Sequence, residues 1–283
     1  MRALPALLVV VALAAGLGSP PDARALSVAP GSETLFTQIE ASEAVVLARF
    51  RAASAGELQF VAEEVLLGGA GESVSVALAE GEAFPGLDPD SRYLLMLASE
   101  GGGRFRLVME GLSILQISEP ELPEVLEAAR AWVRDRDDPA ASRRTLVRFA
   151  TSRSMFLQRS ALMALTYVRP MDRDSLQSLV DQLAAGRVVD PQARERIVRF
   201  AGVMGAMEHR DFLAARVRDA SETPDLREAA LFALDAMDPE MVRVLAPEIE
   251  RSGTPGLRSL MRSLERTPPP PARPSPLPAR PER

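Results

Sequence analysis

A helical unit that returns at a near-constant interval constrains this chain more than any other feature. Residues Pro224 to Leu234 read Pro-Asp-Leu-Arg-Glu-Ala-Ala-Leu-Phe-Ala-Leu. At a distance of 33, Pro191, Ala193, Arg194, Glu195, Ile197 and Val198 repeat the roles of Pro224, Leu226, Arg227, Glu228, Ala230 and Leu231. Leu260, Met261 and Leu264 follow 30 places after Ala230, Leu231 and Leu234, and Leu157, Ala161, Leu162 and Leu165 repeat the spacing 36 places before the Ala193 copy. Such units must stack on neighbours to cover their apolar faces, so the pattern predicts an α-solenoid and, with it, a binding surface.

Helices are expected in pairs at 154–168 with 171–185, 190–205 with 207–219 and 224–236 with 238–251, with a last one at 255–266. Two more precede them. From Glu121, Leu122, Val125, Leu126, Ala129 and Val133 share a face with Trp132 beside it, and Pro139 to Ala150 makes the next. Prolines 139, 170, 191, 224, 239 and 255 stand at or near these boundaries, where a missing N–H costs little.

Upstream, after a short helix expected at Glu33 to Ile39, the apolar period drops from helical to two, the spacing of strands. Val74, Val76 and Leu78 alternate with Ser73, Ser75 and Ala77, and Phe105, Leu107 and Met109 alternate with Arg104, Arg106 and Val108. Val45 to Phe50, Leu58 to Leu66, Arg92 to Ala98 and Leu112 to Ile117 complete about six strands. Gly68-Gly69-Ala70-Gly71 and Gly101-Gly102-Gly103 are placed as hairpin loops. A phosphate cradle there would need a Lys and a Ser or Thr before a helix, and neither is present.

The strand segments Ala44-Val45-Val46-Leu47-Ala48-Arg49-Phe50, Phe60-Val61-Ala62-Glu63-Glu64-Val65-Leu66-Leu67-Gly68 and Arg92-Tyr93-Leu94-Leu95-Met96-Leu97, with late Gly111, resemble the secreted β-barrels of the netrin or tissue-inhibitor-of-metalloproteinase type, which are OB-like. The inhibitor members chelate a target's zinc through an N-terminal cysteine. Leu26-Ser27-Val28-Ala29-Pro30 has none, so the resemblance implies the fold and not that chemistry. Pro191-Gln192-Ala193-Arg194 and Pro224-Asp225-Leu226-Arg227 resemble short HEAT-like repeats, in which Arg194 and Arg227 would be structural ladder residues bonding the neighbouring repeat. The expected fold is therefore α+β and multidomain: a small antiparallel OB-like barrel at 34–118, then an all-α HEAT-like solenoid at 119–266.

The ends carry their own signals. Arg2, the apolar run Leu4 to Leu17 and the small-residue site Ala23-Arg24-Ala25 predict a signal peptide at 1–25, a linker at 26–33, export to the periplasm or outside, and no stable membrane span after cleavage. With no cysteine, neither a disulfide framework nor a lipidated thiol is available. Residues 267–283 hold eight prolines in 17 positions and read as a disordered or polyproline tail. Every basic residue is arginine, with no lysine for a Schiff base and no asparagine for N-glycosylation.

The formal charge of −6 splits into −8 for residues 1–119 and +2 for 120–283, which places a domain boundary near Glu119-Pro120. Between Asp138 and Asp172 there is no acid, while Arg143, Arg144, Arg148, Arg153, Arg159 and Arg169 fall inside. These arginines meet either acids of the barrel such as Glu63, Glu72, Glu80 or Glu82, or an anionic envelope component; export argues against nucleic acid. One histidine, His209, cannot make a zinc site, no Gly-x-Ser-x-Gly elbow occurs, and Glu63 and Glu64 point to opposite strand faces. His209 reads as a surface or capping residue. The function expected is a non-enzymatic, protein-binding scaffold without cofactor or metal. The alternatives are a protease-inhibitor-like barrel or an enzyme with an unrecognised acidic site.

Overall fold

The computed structural model describes residues 34–54, 56–78, 86–204 and 207–266. The expected signal peptide, linker and proline-rich tail lie outside the described residues, as do Glu80 and Glu82.

The strands are β1 (Ala44–Ser54), β2 (Glu57–Leu67), β3 (Ser73–Ala77), β4 (Arg92–Gly101), β5 (Arg104–Leu107) and β6 (Ile114–Ile117). Their order β1-β2-β3-β5-β4, with β4 returning to β1, closes a five-stranded OB-like barrel, and β6 adds to β4. All ladders are antiparallel except β3 with β5, where Val76 pairs with Phe105 in parallel. That pair closes the cylinder, which removes the free edges an open sheet would expose. The glycine loops behave as expected: Gly101, Gly102 and Gly103 all have positive φ between β4 and β5. Leu112, expected in a strand, sits instead in a 3-10 turn at Glu110–Ser113, whose Ser113 hydroxyl accepts from the Met109 N–H at 2.7 Å.

Alternation divides the side chains of β1 and β4 between two cores. Ala44, Val46, Ala48, Tyr93, Leu95 and Leu97 join Phe60, Val74, Val76 and Phe105 inside the barrel. Val45, Leu47, Leu94 and Met96 face outward, yet they are buried too, against α1 (Leu35–Ala41) and the helices that follow the barrel. Burial on both faces is why 44–48 and 93–98 are continuous apolar runs.

After the barrel come α2 (Leu122–Asp135), α3 (Pro139–Phe149), α4 (Met155–Tyr167), α5 (Arg173–Ala184), α6 (Pro191–Val203), α7 (Arg210–Arg218), α8 (Pro224–Met237), α9 (Pro239–Ser252) and α10 (Pro255–Arg266). Helix α2 packs on α1, α3 and β2; α4, α6, α8 and α10 stand side by side in one row, the front, and α3 with α5 and α7 with α9 line the other. This two-row stack is an α-solenoid. The repeated positions are its core: Leu157, Ala161, Leu162, Ala193, Ile197, Val198, Leu226, Ala230 and Leu231 are all buried. In the last copy the register slips by one. Leu257 and Met261 are buried, whereas Leu260 and Leu264 are partly exposed.

Five helix starts share one chemistry. Asp138-Pro139, Asp190-Pro191, Thr223-Pro224 and Asp238-Pro239 each put a cap side chain on an early N–H and a proline where no donor is needed. Thr254 does the same before Pro255, accepting from the Leu257 N–H at 3.2 Å. Pro170 falls between α4 and α5 instead of at a helix start.

Candidate functional site

Arginines link successive helices of the front row. Arg194 on α6 reaches Glu222, one residue before the cap of α8, at 2.5 Å, and Arg216 reaches the same carboxylate at 2.7 Å. Arg159 on α4 makes the corresponding contact one unit earlier, to Asp190, the cap of α6, at 2.6 Å. Arg227 turns back and donates from Nε to the Val217 carbonyl at 2.9 Å. Asp190 is fully buried, so its charge is tolerable only because its bonds are complete. It accepts from Arg159 and from the Ala193 N–H at 2.8 Å, while its own N–H donates to Gln158.

The remaining arginines of the acid-free stretch have different fates. Arg143 pairs with Asp172 at 2.8 Å, Arg148 pairs with Glu127, and Arg169 bonds Glu40 of α1 at 2.9 Å while stacking 5.7 Å from the Trp132 ring. Hydrogen bonds from Ser175, with Arg143 adding a smaller pull, hold Asp172 below the ordinary carboxylate range. Arg144 and Arg153 make no side-chain ion pair among the described residues. The barrel acid Glu63 is engaged elsewhere, with Arg49 at 2.5 Å and Arg92 at 2.8 Å. Burial opposes its ionisation, but those two hydrogen bonds outweigh it and keep Glu63 low. Glu64, on the opposite face, joins barrel to helix through Arg130 of α2 at 2.5 Å.

A groove of about 530 Å³ runs along the front row between α6 and α8 and ends against Leu260 of α10. Its floor is Gly202, Ala229, Ala233 and Ala236; Phe232, 61% exposed, and Val203, 85% exposed, stand over it. Glu195, Arg199, Asp225 and Glu228 form the other end. Small floor residues bring the helices close: a Cβ added to Gly202 would lie 2.5 Å from the Ala233 Cβ and 2.7 Å from its Cα. No family model, curated protein or solved structure matches this chain. The groove therefore has to be read from its own chemistry. An apolar trough with a protruding aromatic and an acidic end suits an extended peptide, and among the described residues no group of three metal-ligating side chains lies near it.

Sequence periodicity missed Phe232 and Val203 because each lies within a repeat copy whose neighbours are core. The signal was available in their phase. Phe232 falls between buried Leu231 and Ala233, so it points away from the stacked face. His209 requires a correction. It occupies the N-cap position of α7 but is only 1% exposed, makes no capping bond, and its Nε2 has no hydrogen-bond partner among the described residues; it is a packed residue and not a surface one.

Proposed function

We propose that this chain is an exported, non-enzymatic scaffold that binds a protein partner through the groove of α6, α8 and α10. The observation that carries the reading is the exposure of two large apolar side chains, Phe232 and Val203, over a floor of alanine and glycine. HEAT-like repeats are proposed on the recurrent bridges Arg159 to Asp190 and Arg194 to Glu222. A netrin-type barrel is proposed on the strand order and on the helices α1 and α2 laid against its outside. Export rests on the N-terminal sequence, and intact mass of secreted protein beginning at Leu26 is its test.

The groove reading is tested by capture from envelope extract on the full chain and on Phe232→Glu and Val203→Glu, followed by titration of the captured species. Binding at least about tenfold weaker for both variants supports it. Equal binding by all three proteins removes the groove from the function. Arg144 and Arg153 favour a second contact, with an anionic envelope component. Vesicles containing anionic lipid should then bind the full chain less as salt rises, and Arg144→Glu with Arg153→Glu should abolish that binding.

A further inference from the structure

The groove and the 17 residues that follow α10 complement one another, and we propose that residues 267–283 dock in it, so that the chain covers its own binding surface. The proposal rests on the reading of that groove as a peptide-binding surface. Charge is the first argument. At the acidic end Arg199 is already held by Glu195 at 2.6 Å, whereas Asp225 and Glu228 have no ion pair among the described residues. Residues 267–283 bring Arg273, Arg280 and Arg283 against the single acid Glu282.

Spacing is the second. A proline-rich segment favours the polyproline conformation, with three residues per turn and a rise of about 3.1 Å, so Pro274, Leu277 and Arg280 share one edge and Leu277 lies roughly 9 Å from Arg280. On α8, Phe232 and Asp225 are separated by about 10 Å along the axis at 1.5 Å per residue. Leu277 on Phe232 therefore sets Arg280 beside Asp225 and Glu228, in the manner of proline-rich ligands on aromatic-lined grooves. The tether is the third. Helices α8 and α10 begin side by side, with Gly256 against Glu228, so α10 ends at Arg266 toward the Phe232 end, and a segment folding back from there would run toward the acids. Seventeen residues at this rise reach about 50 Å, more than the two helix spacings of about 10 Å each that separate α10 from α6.

The chain contains no cysteine, so Ser275→Cys gives the full-length protein a single nitroxide site whose distance is read from methyl relaxation. Docking predicts strong broadening of Val203, Ala233, Ala236 and Leu260, and none of Val61 and Val65 on the barrel. Arg280→Glu, or Asp225→Asn with Glu228→Gln, should lower the docked population roughly three- to tenfold, as should raised salt. Arg280→Glu leaves every described residue unchanged, so its effect is not one of misfolding. No broadening, or broadening indifferent to these charges, overturns the proposal. Broadening that passes to isotope-labelled copies bearing no nitroxide makes the occupant a second copy and overturns it as well. Either failure leaves the external-partner reading standing; that reading falls only if Phe232→Glu and Val203→Glu both leave partner binding unchanged.

Discussion

Asp190 shows how much one side chain can hold in this molecule. It caps α6, pairs with Arg159 on α4 and is completely buried. Losing a cap costs about 1 kcal/mol, and the pair, half-exposed at its arginine, adds up to about 1 after screening, so Asp190→Ala should lose about 2 kcal/mol. Asp190→Asn keeps the cap oxygen and should lose about half as much. No loss for Asp190→Asn in denaturant titration would mean that the ion pair contributes nothing, and equal losses for the two variants would mean that the cap contributes nothing. Asp235 on α8 has the opposite sign. Burial raises its pKa, with Arg243 only partly offsetting. A raised folded pKa favours folding below the unfolded value near 3.9, and that advantage disappears as pH rises through the folded value. Asp235→Asn should therefore raise the melting temperature at pH 7 and give no gain below about pH 4. A gain that persists in acid would point to a cause other than burial of the charge.

Among the elements, the α6–α8 contact depends most on a missing side chain. Gly202→Ala favours the helix by about 1 kcal/mol through propensity, but the new methyl meets the Ala233 Cα, which is backbone and cannot rotate away. Overpacking of about 1–3 kcal/mol should win, and Ala233→Gly in the same chain should recover little of the loss, because it removes the Cβ at 2.5 Å, leaves the Cα at 2.7 Å and itself costs helix propensity. If Gly202→Ala is stabilising, the close approach of these helices is not a constraint. Much of this level was legible in sequence. The helices of the repeats begin and end close to the expected positions, because proline, cap residue and apolar period all act locally. What was not legible depends on distant pairing. The parallel ladder of β3 with β5 closes the barrel between segments that no turn connects. The partners of Arg143 and Arg148 are helix neighbours, since a salt bridge forms with the nearest acid in space and charge totals carry no directions. The groove was hidden for a related reason: Phe232 and Leu231 look equally apolar in a sequence, and only the stacking direction exposes one of them.

At the scale of the molecule, one apolar cluster extends from Leu35 and the outer face of β1 and β4 through every helix to Met261. Trp132 lies fully buried where barrel and helices meet, edge-on to Phe36 at 5.4 Å and beneath the Arg169 guanidinium. Because it is the single tryptophan, its fluorescence reports that junction, while far-UV circular dichroism is dominated by the helices. Leu94 of β4 belongs to the helix-side core, where β4 meets α1, and Leu94→Ala should cost about 2–5 kcal/mol and lower both transitions together, since the cavity it leaves lies in the core that barrel and helices share. The far end should behave differently, because each solenoid layer is held by its neighbours alone. Among the described residues, helix α10 has substantial contact with α8 and α9 alone. Met261→Ala should therefore advance part of the circular-dichroism transition and leave the Trp132 midpoint in place. If Met261→Ala moves the Trp132 transition as far as Leu94→Ala does, the stack is one cooperative unit from barrel to α10. If Leu94→Ala splits the two signals, the buried surface between barrel and helices does not couple them.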